Sequence, residues 1–202
     1  MIKGLVTREL RVWEDDRGFL FEACHNYDLV GAMAATDGVA VSNLQENNLT
    51  IGNKFVPAVA GKFGQVYVVC SPVRGTVRAF HKHKLLWDYF CIVSGAAKLA
   101  LVDDRAHKIV KTITEHDLAD PSQFAEEPSP GDTQIIVASA RQPKLLVVSP
   151  GVFHGWMSLE DNTTLLSVAS ELYDRANPDE IRVPPFYFDI SFGGNPWEVR
   201  GR

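Results

Sequence analysis

Apolar residues in this chain arrive in short bursts, rich in β-branched and aromatic side chains and bounded by Gly, Pro, Asn or Asp. The clearest are 64–70 (GQVYVVC), 89–93 (YFCIV), 98–102 (KLALV), 135–138 (IIVA), 145–149 (LLVVS) and 164–169 (TLLSVA). Runs this short, separated by turn residues, predict strands rather than helices. Turns are expected at 71–75 (SPVRG), 94–97 (SGAA), 149–151 (SPG) and 160–162 (EDN). Helical periodicity is weak, with one short helix expected at 28–35 and a helical turn at 117–124. The pattern gives an all-β sandwich or barrel. No repeat or low-complexity tract interrupts it. Residues 1–202 therefore read as a single domain, with an N-terminal strand segment 1–60, a barrel core 61–175 and a tail 176–202. Residues 112–133 carry DPSQ and EEPSPGD and are expected to form a long loop or lid. The tail is rich in Pro, Gly and aromatics, which predicts packing on the barrel or on a partner.

Composition narrows the function classes. The net charge of −5 provides no basic field for nucleic acid. No run reaches the length of a membrane span, and the charged start MIKGLVTREL does not read as a signal peptide, so a cytoplasmic protein is expected. Three cysteines, Cys24, Cys70 and Cys91, stand at unrelated spacings. That pattern is neither a disulfide framework nor a CxxC zinc site. Cys70 and Cys91 lie in apolar runs and read as small core residues.

The chemistry concentrates in 76–95 (TVRAFHKHKLLWDYFCIVSG). On a strand, residues i and i+2 share a face, so His81 and His83 point the same way. His154 opens another strand after a Pro-Gly turn. The spacing G-x5-H-x-H-x4-D-x6-G, from Gly75 to Gly95, followed by P-G-x2-H, from Pro150 to His154, resembles the two motifs of the cupin superfamily. That resemblance implies a double-stranded β-helix, or jelly roll, with Asp88 where a Glu is usual. Two readings of the residues stay open. His81, His83, Asp88 and His154 could ligate Fe, Mn, Ni, Cu or Zn. Alternatively, His81 is a general base and no metal is needed.

Four further segments carry a narrower resemblance. They are EDDRGFLFE at 14–22, FGQVYVVCSPVRGTVRAFH at 63–81, VVSPGVFHGWMSLED at 147–161 and ELYDRANPDEIR at 171–182. Together they resemble the dTDP-4-dehydrorhamnose 3,5-epimerase family. The resemblance implies a cupin-fold homodimer acting on a nucleotide-diphosphate-linked 4-keto-6-deoxy sugar, with no metal or other cofactor. It implies His81 as the catalytic base, Arg78 as the site arginine, and Arg17 on the nucleotide diphosphate. Glu22, Gln65 and Tyr67 match polar positions near the nucleotide, with Tyr67 standing where Asn is usual. His83, His154 and Asp88 complete the candidate catalytic set, the two histidines as support or relay. Arg78 and His81 differ in strand parity, so both face one cavity only if a bulge or twist intervenes.

The chain also departs from the family pattern. The family's proton-donating tyrosine falls on Ser167 and its lysine on Asp88. The histidine-orienting aspartate should lie near IRVPPF. RAFHKH, VDDR at 102–105 and ASELYDRANPDEIR at 169–182 are loosely similar to sugar-nucleotide 3,4-ketoisomerases, in which both histidines handle protons. The reading that follows is a 3,5-epimerase-like isomerase. Its alternatives are a 3,4-ketoisomerase, a metal-dependent cupin with a three-His one-Asp site, and a sugar-nucleotide binder without turnover.

Overall fold

A computed structural model describes residues 2, 5–15, 18–21, 23, 41–45, 48–51, 54–57, 64–105 and 133–199. The helical expectations at 28–35 and 117–124, Cys24, and nearly all of the expected loop 112–133 lie outside the described residues.

Two five-stranded antiparallel sheets dominate, as a jelly roll requires. The first runs β1 (Val6–Glu9), β12 (Lys144–Val148), β9 (Asp88–Ser94), β14 (Thr163–Ala169), β7 (Gln65–Ser71). The second runs β11 (Thr133–Ser139), β10 (Ala96–Asp103), β13 (Val152–Ser158), β8 (Val77–Lys82), β15 (Ile181–Arg182). Two smaller pieces precede them: a ribbon of β2 (Val12–Asp15) and β3 (Gly18–Phe21), and a meander of β4 (Val41–Gln45), β5 (Asn48–Ile51) and β6 (Lys54–Pro57). One short helix, α1 (Asp189–Phe192), ends on Gly193 in the left-handed region. Among the described residues no helix is long and apolar enough to cross a membrane.

Strand alternation sorts the side chains into three apolar layers. On β9, Phe90 and Ile92 point between the sheets, where they meet Leu99, Leu101, Leu146, Trp156 and Leu165. Tyr89 and Cys91 point out the other side and join Leu145 and Val147 under Leu10, with Phe21 and Ala23 against them. The outer face of the second sheet carries Phe80, Ala100, Val102 and Phe153, covered by Tyr187, Phe188 and Trp197 from the tail. The tail packs on the sheet, as its aromatics led one to expect.

One cysteine reading is corrected. Cys91 is buried, but Cys70 is exposed. Alternation and edge position together are the reason: on β7, Gln65, Tyr67 and Val69 face inward, while Val66, Val68 and Cys70 face out from an edge strand, whereas Cys91, on the same outer face, sits on central β9 beneath Leu10 and Phe21. The apolar run was continuous, so its outer half could not be told from its inner half without the sheet.

Candidate functional site

A cavity of about 630 Å³ opens between the two sheets. Tyr67 and Gln65 line one wall from β7, and Arg78 and His81 line the opposite wall from β8. His83, just past β8, and His154 on β13 close its floor. Phe90, Leu101, Trp156 and Leu165 supply the apolar lining. A concave, mostly apolar site with a few convergent polar groups is the usual form of a small-molecule pocket.

The parity conflict between Arg78 and His81 is solved by a bulge. His154 pairs with His81, yet Trp156, two residues on, pairs with Arg78, three residues back. The extra residue on β8 turns both side chains onto the cavity wall. Gly155 sits opposite the bulge, and a Cβ there would stand 2.3 Å from the Cβ of Ala79. No side chain fits, so the glycine of the His-Gly-Trp sequence is what lets β13 run beside the bulged strand.

The three imidazoles pack together. The ring centroids of His81 and His154 lie 4.2 Å apart, those of His81 and His83 5.3 Å, and those of His83 and His154 5.8 Å. Asp88 stands behind them, fully buried. Its Oδ2 lies 3.3 Å from His83 Nε2 and 3.4 Å from His154 Nε2. Its Oδ1 accepts a hydrogen bond from Ser167 Oγ at 3.4 Å. The far side of each of these two rings meets a backbone carbonyl. His154 Nδ1 is 3.0 Å from the oxygen of Val152, and His83 Nδ1 contacts that of Asp179. His81 has no such anchor among the described residues.

Burial first, and then the neighbouring His154 and His83, hold His81 well below the ordinary imidazole range. It is therefore neutral near pH 7. Burial pulls His83 the same way, but the hydrogen bond and charge of Asp88 outweigh it and leave His83 raised. Burial would lift Asp88, yet its contacts with His154 and His83 win and hold it below the usual carboxylate range. Tyr67 is pushed up to about 12, chiefly by burial and then by the charge of Asp88. It stays a neutral donor across the working range of most enzymes.

Of the residues singled out in the sequence, His81, His83, Arg78, His154, Gln65 and Tyr67 line the cavity, with Asp88 directly behind. His81 and His83 face it together, as their parity predicts. Arg17 and Glu22 lie outside the described residues. The VDDR segment lies elsewhere: Asp104 pairs with Lys82 on the opposite face of β8, and Asp103 with Arg105. Three features escaped the sequence reading. Arg182, paired in register with His81 on β15, lines the cavity and forms an ion pair with Glu180. Tyr67 stands directly across from Ser167, so a phenol faces the cavity beside that serine. Asp179, two residues before the IRVPPF stretch, holds His83 through its carbonyl. Only register between distant strands reveals these, though the acidic pair before Ile181 could have drawn attention.

No family model matches the chain. It is similar to the spore coat polysaccharide biosynthesis protein SpsL of Bacillus subtilis, with 26% identity over 203 residues, covering 100% of both chains. Its fold is shared with a dTDP-4-dehydrorhamnose 3,5-epimerase from Bacillus anthracis solved with TDP and PPi bound. That likeness has a TM-score of 0.60 and 22% identity, and covers 98% of this chain and 86% of that one. ChmJ, a 3'-monoepimerase from Streptomyces bikiniensis in complex with dTDP-quinovose, matches with a TM-score of 0.61 and 22% identity. That match covers 95% of this chain and 74% of that one.

Proposed function

We propose that this protein is an isomerase of nucleotide-diphosphate-linked 4-keto-6-deoxy sugars, of the 3,5-epimerase-like kind, with His81 as the base. The observation that carries the reading is a neutral imidazole with no anchoring hydrogen bond among the described residues, placed on the wall of a sugar-sized cavity in a fold shared with sugar-nucleotide epimerases.

The chemistry follows from the groups present. A proton beside a ketone is acidic only while the enolate oxygen is stabilised. His81 has a lone pair for the proton, and Arg78 and Arg182 bring positive charge to the same wall. Tyr67, still protonated, is a donor on the facing wall. Apolar neighbours such as Phe90 and Trp156 exclude water and strengthen these interactions. The same reading places the reaction in the cytoplasm and expects a homodimer, which sedimentation at micromolar concentration checks.

Incubation with a dTDP-4-keto-6-deoxy sugar in D2O is expected to place deuterium at C3 or C5, read by mass spectrometry and NMR. His81→Asn should abolish incorporation while dTDP binding changes only several-fold. No incorporation by the unaltered protein with deoxythymidine, guanosine or cytidine diphosphate 4-keto sugars would count against turnover and leave a binding role.

A further inference from the structure

A base on one wall of a cavity takes a proton from a carbon and returns one only to the face it was taken from. Inverting that carbon needs an acid on the other face. His81 stands on β8 of the second sheet, and the wall facing it belongs to the first sheet. Among the described residues, the first sheet lines the cavity with Gln65, Tyr67, Val69, Phe90 and Leu165. Of these, Tyr67 alone has a hydroxyl proton to give. The family resemblance puts Tyr67 near the nucleotide, whereas its place across from His81 suits proton transfer.

The phenol is held where it stands. Strand alternation turns Tyr67 inward, between the outward-facing Val66 and Val68. Register sets it opposite Ser167 on β14. Its hydroxyl makes hydrogen bonds with both Ser167 and Asp88. Ser167 in turn donates to Asp88 Oδ1 at 3.4 Å, and Asp88 is fully buried. These contacts anchor the phenolic oxygen and leave its hydrogen free to swing between the carboxylate and the cavity. Tyr173 is the other phenol on the cavity lining, but it is 46% exposed and follows β14 outside the sheets. Its backbone N–H donates to Gln65 Oε1 at 3.3 Å.

We propose that Tyr67 is the catalytic acid of this site, delivering a proton to the face of the substrate carbon opposite His81 and so inverting it. This role rests on the sugar-nucleotide reading, to which it adds the stereochemical outcome. His81 takes the proton from a carbon beside the ketone, and the C–H electron pair moves into the enolate. The enolate carbon then takes the Tyr67 proton on its other face, and the O–H electron pair stays on the phenolate oxygen. A carbon beside a ketone holds a proton more tightly than a phenol does. Transfer therefore runs downhill even with Tyr67 pushed up to about 12. The cycle leaves an imidazolium on one wall and a phenolate on the other, and water carries the proton back between them once product leaves. The Ser167 hydroxyl steadies the phenolate meanwhile, and the charge of Asp88 beside it favours the return of the proton.

The test is the reaction of a dTDP-4-keto-6-deoxy sugar in D2O, with deuterium wash-in read by mass spectrometry and inversion at C3 and C5 read by NMR coupling constants. The unaltered protein is expected to give inverted product with deuterium at the inverted carbon. Tyr67→Phe keeps the ring and removes one oxygen, and circular dichroism and melting temperature check its fold. It should slow inversion about 100-fold or more, while wash-in without inversion continues within about tenfold of the original rate. His81→Asn should lose both. Tyr173→Phe should keep the ratio of inversion to wash-in. The assignment of Tyr67 alone is overturned if Tyr67→Phe inverts as fast as the unaltered protein, or if it loses wash-in and inversion together. It is equally overturned if Tyr173→Phe is the variant that separates the two, or if the unaltered protein exchanges without inverting. Neither wash-in nor inversion by the unaltered protein overturns both this assignment and the reading it rests on.

Discussion

Two cysteines in similar apolar runs, both on the outer face of the first sheet, meet opposite fates, because central strand β9 is covered by Leu10 and Phe21 while β7 lies at the sheet edge. Burial alone pushes the Cys91 thiol up to about 11, among Tyr89, Leu145 and Val147. Reactivity follows the thiolate and access, so Cys91 should resist alkylation at pH 8 in the folded protein. Cys70, exposed on edge strand β7, should react within minutes. Peptide mapping after iodoacetamide treatment reads both positions, and equal labelling would mean that β9 opens readily. Alternation along the strands governs the site. His81, His83 and Asp88 were legible because they lie in one hairpin, where spacing along the chain is spacing in space. Arg182 and the pairing of Tyr67 with Ser167 were not, since each depends on the register of strands far apart in sequence.

At the scale of elements, the turn between β8 and β9 is held from outside. The Asp179 carboxylate accepts hydrogen bonds from the backbone N–H groups of Lys84, Leu85 and Leu86 at 3.1, 2.9 and 3.0 Å. Its carbonyl meets His83. A second clasp joins Trp87 N to Ser170 Oγ at 2.9 Å. Asp179→Ala removes three charge-assisted contacts at a partly exposed site, an expected loss of about 1–3 kcal/mol. Urea denaturation should show a lower midpoint at unchanged slope. Asp179→Asn, which keeps an acceptor oxygen, should fall between. The turn also shows where sequence reasoning stops. The strands were visible as apolar runs and the β8 bulge as a parity conflict. The clasp was not visible, because ELYDRANPDEIR carries no pattern that says which turn it will grip.

The whole molecule is two sheets whose outer faces would be greasy if bare. The first is covered by the N-terminal residues around Leu10 and Phe21, the second by the tail. Phe188 is fully buried there, its ring 5.2 Å from Phe80 and 5.2 Å from Phe153. Trp197 lies tilted against the same Phe80, with ring centroids 5.1 Å apart, and donates its indole N–H to the Pro185 carbonyl at 2.9 Å. Lys98 Nζ ties the end down through the carbonyls of Pro196 at 2.8 Å and Glu198 at 2.6 Å. Phe80 precedes His81 on the bulged strand, so the tail backs the cavity wall that carries His81. Phe188→Ala leaves a cavity against that wall and should cost about 3–5 kcal/mol. For a chain of this size that is a drop of roughly 10 °C in melting temperature. Phe188→Leu, which keeps most of the volume, should cost well under half as much. Calorimetry distinguishes the cases. Melting temperatures indistinguishable from the unaltered protein would show that the tail adds nothing to stability. A graded loss from leucine to alanine would show that the last residues of the chain are structural members of the cavity they never enter.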